Sequence, residues 1–180
     1  EVIPEGATAE NNYTVNGVTY DSKTVNVKVT VTYNKETGEL KAELAKDSEA
    51  IAFQNSYETK TSIGLEGTKS LSGRTLKDGE FTFEVKDKAG KVVATGSNKS
   101  DGSISFNNKL NYKLSDLEKA DGSYESEKTY EYTVNEVIPE GATAENNYTV
   151  NGVTYDNSIF TVKVIVSYDQ ATGIMSAAFA

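Results

Sequence analysis

The chain has 180 residues, a formal net charge of −9 at pH 7, and neither His nor Cys. Cys/His zinc sites, thiol nucleophiles, His-based triads and disulfides are therefore excluded together, and cations scattered among acids argue against a phosphate-binding surface. Hydrophobic residues at 37% and charged residues at 25% fit a globular chain of one to two domains, with no apolar run near the ~20 residues of a membrane span.

In chain order, the first clear element is Val25, Val27, Val29, Val31 and Tyr33 alternating with Asn26, Lys28, Thr30 and Thr32. Period 2 predicts a strand with one buried face. Glu36-Thr37-Gly38 is a turn, and Ile51–Tyr57 and Ile63–Leu71 are further extended segments. Alternation returns in Phe81–Val85, Ile104–Phe106 and Tyr130–Val134, separated by turns at 77–79, 88–90, 100–102 and 121–123 that each carry Gly. Only Leu114–Lys119 reads as helical, and only as a single turn. Many short strands with frequent turns predict an all-β fold, an immunoglobulin-like β-sandwich.

Comparing the chain with itself adds the domain plan. Residues 1–21, EVIPEGATAENNYTVNGVTYD, recur unchanged at 136–156, a period of 135 residues. Beyond Asp21 and Asp156 the copies align without a gap but diverge: Val27-Lys28-Val29 matches Val162-Lys163-Val164, and Tyr33 matches Tyr168. That period is too long for a solenoid and suits tandem independent domains. Residues 1–58 are expected to be the C-terminal part of one repeat, and 59–180 the next repeat without its final strand. A start at Glu1 and a single Met, Met175, read as a mature or excised fragment with no signal peptide.

Three polar residues fall in phase with inward apolar sets. Asn55 joins Ile51, Phe53 and Tyr57; Lys69 joins Ile63, Leu65 and Leu71; Glu136 joins Tyr130, Tyr132, Val134 and Ile138. Glu1 is the same position in the preceding copy. Such residues are costly to bury unless paired, and each could simply mark the twisted end of a strand. Together they suit one reaction. A Lys amine attacks an Asn carboxamide, ammonia leaves, and an isopeptide bond remains. Burial disfavours the charged form of an amine, and a neighbouring carboxyl can polarise the carbonyl and carry the proton. Phe81, Phe83, Phe106, Phe53, Tyr57 and Tyr132 are available to line such a site.

Three segments then carry a family resemblance. They are Thr68–Arg74 with Leu76, Gly79 and Phe81-Thr82-Phe83; Tyr130–Val137; and Ala52-Phe53-Gln54-Asn55-Ser56-Tyr57. In this order and spacing the chain resembles the Gram-positive pilin isopeptide linkage domain of major pilins and surface adhesin stalks. The resemblance implies that Lys69 is the nucleophile and Glu136 its catalytic acid, with Glu1 and Asn55 serving the preceding domain. The departure is that no complete triad occurs in the usual chain order. The missing strands are expected in a longer array; alternatively Asn55 meets Lys69 in a permuted domain of the same or another chain, or Lys69 stays unbonded.

The N-x-S/T triplets at Asn12, Asn98 and Asn147 and the acidic loops at 36–39 and 116–121 read as polar turns rather than glycan or Ca²⁺ sites. No cofactor, metal, nucleic acid or membrane partner is expected. The reading is a non-enzymatic stalk or pilus-shaft module at the cell surface, whose partners are neighbouring repeats or identical subunits in a fibre. A host ligand could be bound elsewhere in the full-length protein. The alternative is a ligand-binding adhesin domain or a carbohydrate-binding module; copying a spacer lengthens a stalk, whereas a specific site need not be copied.

Overall fold

Alternating segments too short to stand alone must pair with one another. The computed structural model, which describes residues 1–180, accordingly contains fifteen strands, three 3₁₀ turns and no α-helix. The chain separates into an N-terminal unit, Glu1–Glu58, and a C-terminal unit, Thr59–Ala180.

In the N-terminal unit, β1 (Thr14–Val15) and β2 (Val18–Thr19) form a hairpin on which β5 (Ser56–Tyr57) lies antiparallel. The two-residue turn is Asn16-Gly17, both at positive φ, as a primed hairpin turn requires. Gly17 is needed for a second reason: a Cβ there would stand 2.5 Å from the Glu58 carbonyl oxygen. The second hairpin pairs β3 (Val29–Asn34) with β4 (Glu39–Leu44). Here the expected buried face is corrected. Val29, Val31, Tyr33, Leu40 and Leu44 are all exposed, because two strands alone have no second layer to cover them.

The C-terminal unit is a lopsided β-sandwich. Its main sheet comprises β7 (Thr82–Lys86), β8 (Val92–Asn98), β9 (Ile104–Phe106), β11 (Glu127–Glu136), β14 (Ile159–Asp169) and β15 (Ile174–Phe179). Their antiparallel order is β15-β14-β11-β7-β8-β9. The opposing layer is β6 (Lys60–Ile63) with β10 (Leu110–Lys113), followed by the 3₁₀ turn Leu114–Leu117 at the predicted helical turn. Val85, Tyr132, Val164 and Val166 pack from the sheet against Leu110, Tyr112, Leu114 and Leu117. A separate hairpin pairs β12 (Thr149–Val150) with β13 (Val153–Thr154).

The identical segments fold identically. The 3₁₀ turns Ala9–Asn11 and Ala144–Asn146, and the hairpins β1–β2 and β12–β13, sit 135 residues apart with the same positive-φ positions. The divergent continuations differ in length. β14 runs eleven residues because β11 pairs with it from Asn135↔Ile159 to Glu127↔Ser167, whereas β3, paired only with β4, keeps six.

One buried polar contact ties the two layers together. The hydroxyls of Tyr112 and Tyr132 lie 2.9 Å apart, and Tyr130 packs on Tyr112 with ring centroids 4.9 Å apart. Burial pushes all three phenols up, Tyr130 to about 12. Folded values above the unfolded value of roughly 10 contribute stability that is complete below that pH and lost as pH rises through the folded values. The denaturation midpoint of the C-terminal unit should therefore hold until about pH 10 and then fall. Absorbance at the tyrosinate band should show these three rings unionised in folded protein where exposed tyrosines have already titrated. Full ionisation of every Tyr without unfolding would contradict this packing.

Candidate cross-linking site

Lys69 enters the interior because alternation persists along its segment. From Thr61 to Leu71 the odd-numbered positions are partly buried and the even-numbered ones exposed. The bridge Thr68↔Ser103 and a bond from Lys69 N–H to the Gly102 carbonyl (2.7 Å) hold that phase. Glu136 ends β11 directly opposite Phe83 and so shares the inward face of β7. The next residue fixes the strand end, with Val137 N–H donating to the Thr82 carbonyl at 2.8 Å.

The two side chains meet. Lys69 Nζ donates to Glu136 Oε2 at 2.5 Å and stands 4.2 Å from the centre of the Phe81 ring. Their exposures are 11% and 4%. Glu136 Oε1 is buried and has no hydrogen-bond partner. Phe81 is held by Asn98, itself fully buried, whose Oδ1 accepts from Phe81 N–H and whose Nδ2 donates to the Lys77 and Lys99 carbonyls. The pair opens onto a groove of about 620 Å³ with apolar walls from Leu65, Phe83, Ile104, Phe106, Phe160 and Val162. Thr154, Tyr155 and Asp156 form part of its rim.

The N-terminal unit holds a different half of the same constellation. Asn55 Nδ2 donates to Glu1 Oε1 at 2.8 Å, and Asp21 N–H donates to Asn55 Oδ1 at 2.9 Å. Both ends of the carboxamide are thus gripped. Gln54 N–H donates to Asp21 Oδ2 at 3.1 Å, which aligns the strand just before Asn55. The Lys23 ammonium, then the main-chain N–H groups of Gln54 and Lys23, hold the Asp21 carboxyl below the usual carboxylate range. Glu1 is exposed where Glu136 is buried, although the twenty residues that follow each are identical. The C-terminal unit thus brings Lys69 to Glu136, and the N-terminal unit brings Asn55 to Glu1. Neither unit alone brings a Lys, a Glu and an Asn side chain into mutual contact at this position.

Two expectations about the lining are corrected. Tyr132 is not beside Lys69; it faces Tyr112, away from the Phe81 cluster, where the main core has room for a paired hydroxyl. Phe53 and Tyr57 belong to the N-terminal unit and are exposed there, Phe53 lying 5.6 Å from the Lys23 ammonium. Conversely, sequence reasoning gave no site role to Asp21, to its copy Asp156, or to Tyr155, whose ring packs 5.4 Å from Phe81. A signal existed, because the verbatim repeat ends on Asp21 and Asp156.

A family model described as FctA, Spy0128-like isopeptide containing domain, matches residues 5–58 and 65–179. Neither the curated proteins nor the solved structures contain a match.

A buried ion pair stripped of one partner leaves an uncompensated charge. Glu136→Ala should destabilise the C-terminal unit by about 3–5 kcal/mol. Replacing both Lys69 and Glu136 with Met should cost far less, since well-packed apolar residues often substitute for such a pair without loss. Urea denaturation of the three proteins checks this; equal losses in single and double variants would mean the two side chains are not energetically coupled.

Proposed function

Because the chain belongs to the family of Spy0128-like isopeptide-containing domains, we propose that it is a structural module of a bacterial cell-surface stalk or pilus shaft, strengthened by Lys–Asn bonds that it forms on itself. The observation that carries this reading is the buried contact between Lys69 and Glu136 beside Phe81. On this reading residues 1–58 are the back part of one repeat, with Glu1 and Asn55 serving a Lys in a preceding segment. Residues 59–180 are the front of the next repeat, with Lys69 and Glu136 serving an Asn in a following segment.

The geometry suits the chemistry. A proton passed across the 2.5 Å contact from Nζ to Oε2 leaves a neutral amine and a carboxylic acid side by side. The amine attacks the carboxamide carbon, the acid returns the proton to the departing nitrogen, and ammonia leaves. The grip on Asn55 suggests how the electrophile is presented: a main-chain N–H on the oxygen, a carboxyl on the nitrogen. The reaction happens once per site, so the domain is a structural part and not a turnover enzyme.

A bond between the opening and closing strands of one repeat would carry tension past the strands between them. Ordinary hydrogen bonds, worth about 1 kcal/mol net each, yield one after another under force. The tie also closes a long loop, which contributes up to about 5 kcal/mol if the entropy reasoning for disulfides transfers. In a chain with no Cys, no disulfide can do this.

A longer version containing Lys69, Glu136 and the Asn of the same repeat should weigh about 17 Da less than its sequence requires, the mass of one ammonia. Its Glu136→Ala variant should keep the full mass. Intact-mass spectrometry with peptide mapping of the link to Lys69 is the measurement, and full mass in the unsubstituted protein would refute the reading. Under single-molecule pulling, the bonded protein should resist extension where Lys69→Ala lengthens by roughly 3.3–3.6 Å per released residue. Equal extension would remove the bond from the load path.

A further inference from the structure

Asn55 lies one residue outside the β2–β5 ladder, whose last pair is Thr19↔Ser56, so main-chain pairing does not hold it in place. A side chain takes over there. Asp21 Oδ2 accepts from Gln54 N–H at 3.1 Å, which ties the two strands together beside Asn55. Asp21 Oδ1 accepts from Lys23 N–H at 3.1 Å, which sets the turn by which the chain leaves β2. With both bonds made, the N–H of Asp21 itself donates to Asn55 Oδ1 at 2.9 Å. One residue thus clamps the acceptor strand with its carboxylate and meets the carboxamide oxygen with its main chain.

Other aspartates show what is particular here. Asp101, Asp121 and Asp169 make the same local turn, but their carboxylates take bonds only from residues two and three positions on. That is the ordinary behaviour of Asp in a turn. Asp21 adds a bond to a distant strand, at the residue next to the Asn. Its copy Asp156 keeps the turn, accepting from Ser158 N–H at 2.9 Å, although the residues that follow the verbatim segment differ. Asp156 lines the groove that holds Lys69 and Glu136. The Ser158 hydroxyl and N–H, and to a smaller extent the Lys69 ammonium, hold its carboxyl below the usual carboxylate range.

We propose that Asp21, and Asp156 in the next repeat, is a positioning residue for cross-linking: its carboxylate locks the acceptor strand so that its own N–H faces the carboxamide oxygen of the Asn. The proposal rests on reading that Asn as the acceptor, and deepens it. As the Lys Nζ–Cγ bond forms, negative charge collects on Oδ1. It returns as the Cγ–Nδ2 bond breaks, and the Glu carries the proton from Nζ to Nδ2, so that ammonia leaves with no oxidant or reductant. A donor already aimed at that oxygen stabilises the charge without reorganising, and losing such a donor slows acyl transfer about 100- to 1,000-fold.

Asp→Asn is the discriminating change, because it keeps one oxygen for the turn and sets an NH2 group against the N–H of the other strand. In ¹⁵N-labelled chain, Asp21→Asn should shift the Asn55 side-chain amide resonances and speed solvent exchange of the residue-21 amide about tenfold. The β3–β4 amides should not move. The longer version containing Lys69, Glu136 and the Asn of the same repeat is then made by cell-free translation and weighed over time. Asp156→Asn should slow its loss of about 17 Da by about ten- to a hundredfold. In a Lys69→Met background, where no link can form, the urea midpoints with and without Asp156→Asn should agree. Equal rates of ammonia loss, or unmoved Asn55 resonances, would overturn the positioning role and leave the cross-link standing. A slower rate matched by a lower midpoint in the Lys69→Met background would make the Asp merely structural and overturn it too. No ammonia loss from the unsubstituted protein would sink the cross-linking reading itself, and the positioning role with it.

Discussion

Everything distinctive about the C-terminal unit depends on a Lys and a Glu pressed together out of water. Removing two charges from solvent costs several kcal/mol per ion, and a pair that makes few other hydrogen bonds recovers little of it. Lys69 has Glu136 and the Phe81 face; Glu136 has Lys69 and one oxygen with no partner. As a device for stability this is poor. The two side chains nevertheless touch, and one carboxyl oxygen is left without a partner.

The surrounding fold keeps that pair in place. Asn98 accepts from Phe81 N–H and is itself held by donating to the Lys77 and Lys99 carbonyls, and β7 sets Glu136 against Phe83. The Lys69 segment stays in register through Ser103 and Gly102. These restraints come from four separate stretches of chain. The pair is thus assembled by long-range packing.

Much of this was legible in the sequence. Period 2 placed Lys69 and Glu136 inward, because side chains on a strand alternate whatever their chemistry. What failed did so for physical reasons. The Val25–Tyr33 alternation says which face could be buried, but not whether a second layer exists to bury it. Tyr132 is inward as its phase requires, yet phase gives no position along the face, and so it lay with Tyr112 rather than Lys69. Asp21 takes the Gln54 and Lys23 N–H groups on its carboxylate and offers its own N–H to Asn55, a role that no periodicity announces; the point where the verbatim repeat stops marks it and its copy Asp156.

The hairpin turns Asn16-Gly17 and Asn151-Gly152 carry a consequence for ageing. An Asn followed by Gly is where a main-chain nitrogen most readily attacks the side-chain carboxamide, since glycine offers no side chain to obstruct ring closure. Reopening of that ring inserts an extra backbone carbon, and a two-residue turn with both residues at positive φ has no slack to absorb it. Damage at Asn16 would splay β1 from β2 and loosen the surface on which β5 rests. A carboxamide that loses ammonia to a lysine would strengthen the protein for good, while one that loses it to its own backbone would set a limit on its working life.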